Sequence, residues 1–360
     1  MVKQKTLIFE NGRSFTGYSF GSEREAVGEV VFCTSMVGYQ EILTNPANKG
    51  KIMVFTYPII GSYGLSDEDY ESSSITVSAL IVREYNDFPS NFRYTKTLAE
   101  QLQENNVPGL YGIDTRELTQ MLRSEGIMRA VLKDSSQDEI NLDELFSDMT
   151  DVTLAQVSSK KVWYSRTSNY RYNLVAIDCG ITNSIIKTLN AYGCNVIVVP
   201  YNSSKHEILS LRPDGVIISD GPGYPSDADI PTEIISELSR ENIPILGIGF
   251  GLLAVAVAFG AKLDDTKLIH FGSNHPVVDI DGRIEIVTQN HSLTTDISSL
   301  ADDIVVTHRN LMDNSIEGIS VKGKHISAVS FYPASIDEKG RSYIYNDFLA
   351  AIDNSVRKDS

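Results

Sequence analysis

The pentapeptide Gly247-Ile-Gly249-Phe-Gly251 follows the apolar run Pro244–Ile248 and leads into an apolar stretch that begins at Leu252. A small–x–nucleophile–x–small turn between a strand and a helix presents its central residue on a sharp, strained bend. The helix N-terminus behind it then stabilises a thiolate or an oxyanion. Here the central residue is Gly249, which has no side chain and can attack nothing. Such a bend costs any residue with a Cβ on the order of 1–3 kcal/mol. Glycine relaxes that strain, while Leu252 and Leu253 add apolar packing. A second glycine loop, Ser219-Asp-Gly221-Pro-Gly223-Tyr-Pro225, follows the strand-like segment Asp214–Ser219. Its glycines let backbone N–H groups approach a ligand oxygen, as an oxyanion hole requires. A plain tight turn uses the same residues.

Other groups that could carry chemistry are few. Cys179, in Asp178-Cys-Gly180, ends one strand-like segment and Cys194 precedes another. Neither lies in the elbow or beside an activating group, so both read as core thiols. His270, His275 and His291 fall in one region. No carboxylate or cysteine accompanies them at a recognised ligand spacing, so no metal is expected.

The elements that would position these loops are readable from periodicity. Strands are expected at Thr6–Glu10, Ser14–Phe20, Glu29–Cys33, Lys51–Thr56, Ser74–Val82 and Ile127–Leu132, with helices at Tyr94–Glu104 and Thr115–Ser124. From Asn173 the pattern becomes strand–helix alternation. Strands are expected at Leu174–Asp178, Asn195–Pro200, Asp214–Ser219 and Pro244–Ile248, and helices at Thr182–Tyr192 and Pro231–Glu241. Short apolar strands with intervening helices imply a parallel sheet covered on both faces. Further strands are expected at Ile284–Thr288, Ile304–Thr307, Ser315–Ile319 and Ile326–Phe331, with a last helix at Tyr343–Asp353. The fold class is therefore α/β: an N-terminal α+β domain over 1–152, then an open sheet with helices on both faces over 172–358. The polar stretch between, about 153–171, reads as a linker. In an open sheet of this kind ligands bind at the carboxyl ends of the strands, where both glycine loops lie.

Composition narrows the partners. The chain has 360 residues, 42% hydrophobic and 22% charged, enough for two cores. A formal net charge of −16 argues against nucleic acid or an anionic membrane as a partner. The first apolar run, Thr6–Glu10, is too short for a signal or a membrane span. Three cysteines suit reduced thiols and a cytoplasmic location.

The loop pair resembles a class I glutamine amidotransferase domain, whose elbow reads Gly-x-Cys-x-Gly. The segment Gly28-Glu-Val-Val-Phe-Cys-Thr-Ser-Met-Val-Gly-Tyr-Gln-Glu-Ile-Leu-Thr44 is similar to the signature of the carbamoyl-phosphate synthetase small subunit. Phe55–Gly61, Gly112–Arg116, Met128-Arg129, Gly272–Pro276, Thr288–His291, Val306–His308 and Ile316–Gly318 extend the likeness over nearly the whole chain. The resemblance implies a subunit that hydrolyses glutamine through a cysteinyl thioester. It delivers ammonia to a large subunit, which uses ATP and bicarbonate to make carbamoyl phosphate. No cofactor is expected in this chain itself.

The resemblance places the family's nucleophile at Gly249, and its base and orienting carboxylate at Tyr332 and Ala334. None of the three is kept. A phenol with an ordinary pKa near ~10 is a poor base at neutral pH. Pocket positions are altered at Ala47, Phe250, Leu253, Ser292 and Leu293, while Gly221, Gly223 and Asn290 remain as substrate-binding remnants. The expected function is thus a non-hydrolysing partner of a large synthetase subunit that uses free ammonia, in pyrimidine or arginine biosynthesis. Two alternatives stand beside it: a subunit still hydrolysing glutamine by another constellation, and a stand-alone regulatory protein that binds a small molecule.

Overall fold

The computed structural model describes residues 3–136, 141, 146, 152–223, 229–333 and 342–356. The chain forms two compact units, Met1–Val152 and Thr153–Ser360.

The first unit begins with a hairpin whose alternation sends Leu7 and Phe9 inward, both fully buried. Its strands are β1 (Gln4–Phe9), β2 (Ser14–Gly21), β3 (Ala26–Cys33), β4 (Ile52–Phe55), β5 (Ile59–Ile60), β6 (Ala79–Ile81), β7 (Glu84–Tyr85), β8 (Pro108–Tyr111) and β9 (Met128–Asp134). All but β5 and β7, which pair with each other, close a barrel in the order β1-β2-β8-β6-β4-β3-β9. Among the described residues it is accompanied by the helices α1 (Tyr39–Thr44), α2 (Leu98–Glu104) and α3 (Thr115–Glu125). The helix expected from Tyr94 starts later, at Leu98, because Thr97 and Glu100 form a reciprocal capping box. Of the strand expected over Ser74–Val82, Ala79–Ile81 pairs in the sheet.

In the second unit β10 (Trp163–Ser165), β11 (Tyr172–Asp178), β12 (Cys194–Pro200), β13 (Gly215–Ile218), β14 (Ile245–Ile248), β15 (Leu263–Asp279), β16 (Ile284–Thr295), β17 (Ile304–Asn310), β18 (Ile316–Val321), β19 (Ile326–Val329) and β20 (Phe331–Tyr332) build one sheet. Its order is β10-β12-β11-β13-β14-β19-β18-β17-β15-β16-β20. The part from β12 to β19 is parallel, as expected; β10 on one edge and everything beyond β19 are antiparallel. Helices α4 (Asn183–Ala191), α5 (Lys205–Ser210), α6 (Asp229–Leu238), α7 (Phe250–Ala258) and α8 (Tyr343–Val356) complete it.

Burial on both faces explains the continuous apolar strands. Val175 and Ile177 of β11 pack with α6 and α7 on one side, through Ile235, Leu238, Leu252 and Ala254. Leu174 and Ala176 pack with Leu189 of α4 and Phe348 of α8 on the other. The stretch 153–171, read from the sequence as a linker, belongs to this unit. Leu154 is 2% exposed within its core, and β10 pairs with β12. β15 escaped the sequence reading because its charged Asp264-Asp-Thr-Lys267 start and two register shifts against β16 break the alternation.

Candidate functional site

Three strand ends of the parallel sheet converge on one carboxylate. β13 runs into Ser219-Asp220-Gly221, β14 into Gly249, and β19 leads through Ser330 to Tyr332 on β20. Gly249 has φ 59° and ψ −117° and forms the N-cap of α7. Its N–H donates to the Val329 carbonyl at 2.8 Å, which ties the bend to β19. Only glycine occupies this backbone conformation without strain. Its neighbours are fixed by close approach: a Cβ on Gly251 would stand 2.4 Å from the Ile218 carbonyl oxygen.

Asp220 fills the space beside the bend. A Cβ added to Gly249 would lie 2.2 Å from Asp220 Oδ1 and 2.3 Å from its Cγ. Asp220 is 4% exposed. Its Oδ1 accepts the Phe250 N–H at 2.8 Å and the Gly221 N–H at 2.9 Å. Its Oδ2 accepts the Tyr332 hydroxyl proton. The first N–H group of α7 and one of the loop glycines are therefore already bound to an internal anion. A carboxylate at a helix N-terminus is stabilised both by those orphan donors and by the helix dipole. Chemically the arrangement is a closed anion site, with the side chain standing where an attacking atom would.

The remaining candidate residues sort by position. Gly221 is held against the Cys179 carbonyl, which a Cβ would meet at 2.1 Å, and Gly223 has φ 90°. Phe250 and Leu253 are buried on α7 and belong to the core. Asn290 lies on β16 opposite Phe271, and its side-chain nitrogen is buried without a hydrogen-bond partner among the described residues. Ser292 and Leu293 follow on the same strand, half-buried, with Leu293 packed on the core. Ala47 is buried in a turn of the first unit, Pro46–Asn48. Ala334 lies outside the described residues.

The two second-unit thiols are unreactive in character. Burial, reinforced by Asp178 and Asp220, pushes Cys179 well above the ordinary thiol range. Burial pushes Cys194 up to about 12. A thiol held protonated is a weak nucleophile.

A family model for the carbamoyl-phosphate synthase small chain, CPSase domain, matches residues 7–132, and one for class-I glutamine amidotransferase matches residues 175–352. The carbamoyl phosphate synthase small chain of Fusobacterium nucleatum is 41% identical over 98% of this chain and 99% of its own length. The chain belongs to the carbamoyl-phosphate synthase small-chain family. The small chain of Aquifex aeolicus is likewise 41% identical over 97% of this chain and 99% of its own length. That of Staphylococcus epidermidis is 37% identical over 100% and 99% respectively. As a member of this family the protein carries a glutamine amidotransferase domain in its second unit. Gly249 and Tyr332 both stand against Asp220. That residue was missed because an aspartate ahead of two glycines reads as loop polarity. The available signal was a carboxylate placed directly after a buried strand, at the end of the sheet where a helix N-terminus is expected.

Proposed function

We propose that this protein is a small subunit of carbamoyl-phosphate synthase that does not hydrolyse glutamine and serves as the structural or regulatory partner of an ammonia-using large subunit. The observation that carries this reading is the Asp220 carboxylate seated on the Phe250 N–H at the elbow, where Gly249 offers no thiol. A thioester route needs a nucleophile with an adjacent base. The elbow supplies neither: Tyr332 spends its hydroxyl proton on Asp220, and the raised Cys179 and Cys194 thiols are poor substitutes. A site filled by its own side chain also weighs against a stand-alone small-molecule sensor built on the same pocket.

ATP and bicarbonate would bind on the large subunit, and the product would enter pyrimidine or arginine synthesis. Among the described residues no helix is long and apolar enough to cross a membrane. The formal net charge of −16 favours a protein over nucleic acid or an anionic membrane as the partner, and three free cysteines suit the cytoplasm. The deciding experiment supplies the co-expressed pair of subunits with either ammonium or glutamine. Carbamoyl phosphate from ammonium alone is expected. Glutamate released from glutamine by the small subunit would overturn the reading.

A further inference from the structure

The second unit contains a buried imidazole–carboxylate cluster unrelated to the elbow chemistry. His270 on β15, His291 on β16 and Glu317 on β18 bring one ligand atom each to within 4.8 Å of one another. Their side chains are 1%, 12% and 0% exposed. The spacing of the histidines in sequence offered no carboxylate; the fold supplies Glu317 from β18 and Asp313 from the β17–β18 connection.

The contacts place donors and acceptors unusually. His291 Nδ1 lies 2.9 Å from the Leu293 carbonyl oxygen, which can only accept, so that nitrogen carries the hydrogen. Its Nε2 then faces Glu317 Oε2 at 3.1 Å. His270 faces a carboxylate from both nitrogens, Nε2 to Asp313 Oδ2 at 3.0 Å and Nδ1 to Glu317 Oε1 at 3.4 Å. Neither His270 nitrogen makes an aligned hydrogen bond among the described residues. His270 is thus enclosed by two buried carboxylates, an arrangement that needs positive charge at the ring, carried by a proton or by a metal ion in its place.

We infer that His270 Nδ1, His291 Nε2 and Glu317 form a binding site for a divalent transition metal of the zinc type. The two histidine nitrogens stand 3.4 Å and 3.1 Å from the two oxygens of Glu317, and the trio lies within 4.8 Å, so the side chains must draw in around an ion to reach bonds of about 2.0–2.1 Å. Imidazole and carboxylate donors together suit zinc rather than magnesium or calcium. The outer contacts are those of ligating groups. Each histidine keeps its other nitrogen on an oxygen, the Asp313 carboxylate or the Leu293 carbonyl, which fixes its orientation. Glu317 is oriented by the hydroxyls of Ser315 and Ser330. A divalent ion would balance the charges of Glu317 and Asp313, which are otherwise costly to bury. Asp313 and Ser315 also line an open cleft of about 240 Å³, which gives an ion a route in. The metal would pin β15, β16 and β18 together and so play a structural part.

The test uses the full chain without a polyhistidine tag, stripped with chelator and then exposed to zinc. About one zinc per chain should survive gel filtration, and zinc should raise the melting temperature of the stripped protein. Cobalt in place of zinc should give the visible d–d bands of a tetrahedral site. Asp313→Asn should weaken zinc retention about 10- to 100-fold, whereas His206→Gln, an exposed histidine outside the cluster, should not. Loss of all zinc by the unmutated chain on gel filtration, with a melting temperature indifferent to zinc, would mean that protons alone bridge the cluster and would overturn the inference. Should the Asp313 variant fail to fold, the unmutated chain and its cobalt spectrum still decide.

Discussion

At the scale of single residues, the elbow shows why losing a nucleophile need not be reversed by restoring one. Gly249→Cys puts a Cβ at φ 59°, and its first atom would overlap the Asp220 carboxylate. The backbone alone should cost about 1–3 kcal/mol. We therefore expect Gly249→Cys to lower stability in urea unfolding and to release no glutamate. Asp220→Ser removes the overlapping carboxylate, so the double variant should lose less than the sum of the two single losses. The expected coupling is about 0.5–3 kcal/mol; strictly additive losses would show that Asp220 does not hold the bend. Tyr332→Phe tests the other side of the same carboxylate. Withdrawing a donor from a group 4% exposed should cost about 1–3 kcal/mol in the same measurement. No measurable change would mean that the phenol is incidental.

At the scale of elements, the sequence spoke clearly wherever local chemistry decides. Asp114 was legible as the start of α3, and its carboxylate accepts the Arg116 and Glu117 N–H groups at 3.0 Å. Asp114→Ala should cost about 0.5–2 kcal/mol, and Asp114→Asn much less, in thermal or urea unfolding. Equal losses from both would point to charge rather than capping. The strands β11, β13 and β14 were legible for a different reason, since burial on both faces leaves no polar position to blur them. What stayed hidden depends on distant partners. β15 carries charges and two register shifts, and only its pairing with β16 makes it a strand. β10 is a short edge strand whose residues are set by β12. The site was half legible on the same principle: Gly249 stood out by its place in the turn and Tyr332 only through the family resemblance, whereas Asp220 acquires its meaning only when β13, β14 and β20 meet. The carboxylates around His270 and His291 were hidden likewise, because Glu317 and Asp313 are distant in sequence.

At the scale of the whole molecule, the charge balance and the buried histidines set how the protein answers acid. The net charge of −16 keeps the surface anionic at neutral pH. Inside the second unit His308 is 7% exposed, with Nε2 at 2.7 Å from the Tyr343 hydroxyl and Nδ1 at 2.9 Å from Thr307 Oγ1. Burial holds its pKa below the ordinary 6.5; Asp279 and Glu317 pull the other way, and Arg283 pushes with burial. Burial likewise pushes His275 down to about 4. Below pH 6.5 these two sites therefore take up protons in the unfolded chain that they refuse in the folded one, whereas His270, which burial pushes down but Asp313 and Glu317 raise to about 9, works the other way. The stability that His275 and His308 contribute is present above 6.5 and is lost as the pH falls towards their depressed folded values. Each can remove up to about 1.4 kcal/mol per pH unit across that window. Urea midpoints measured from pH 7 down to pH 5 should fall for the parent. They should fall less steeply for His308→Gln, which cannot take up a proton in the unfolded state. Parallel curves for the two proteins would show that His308 does not couple folding to pH.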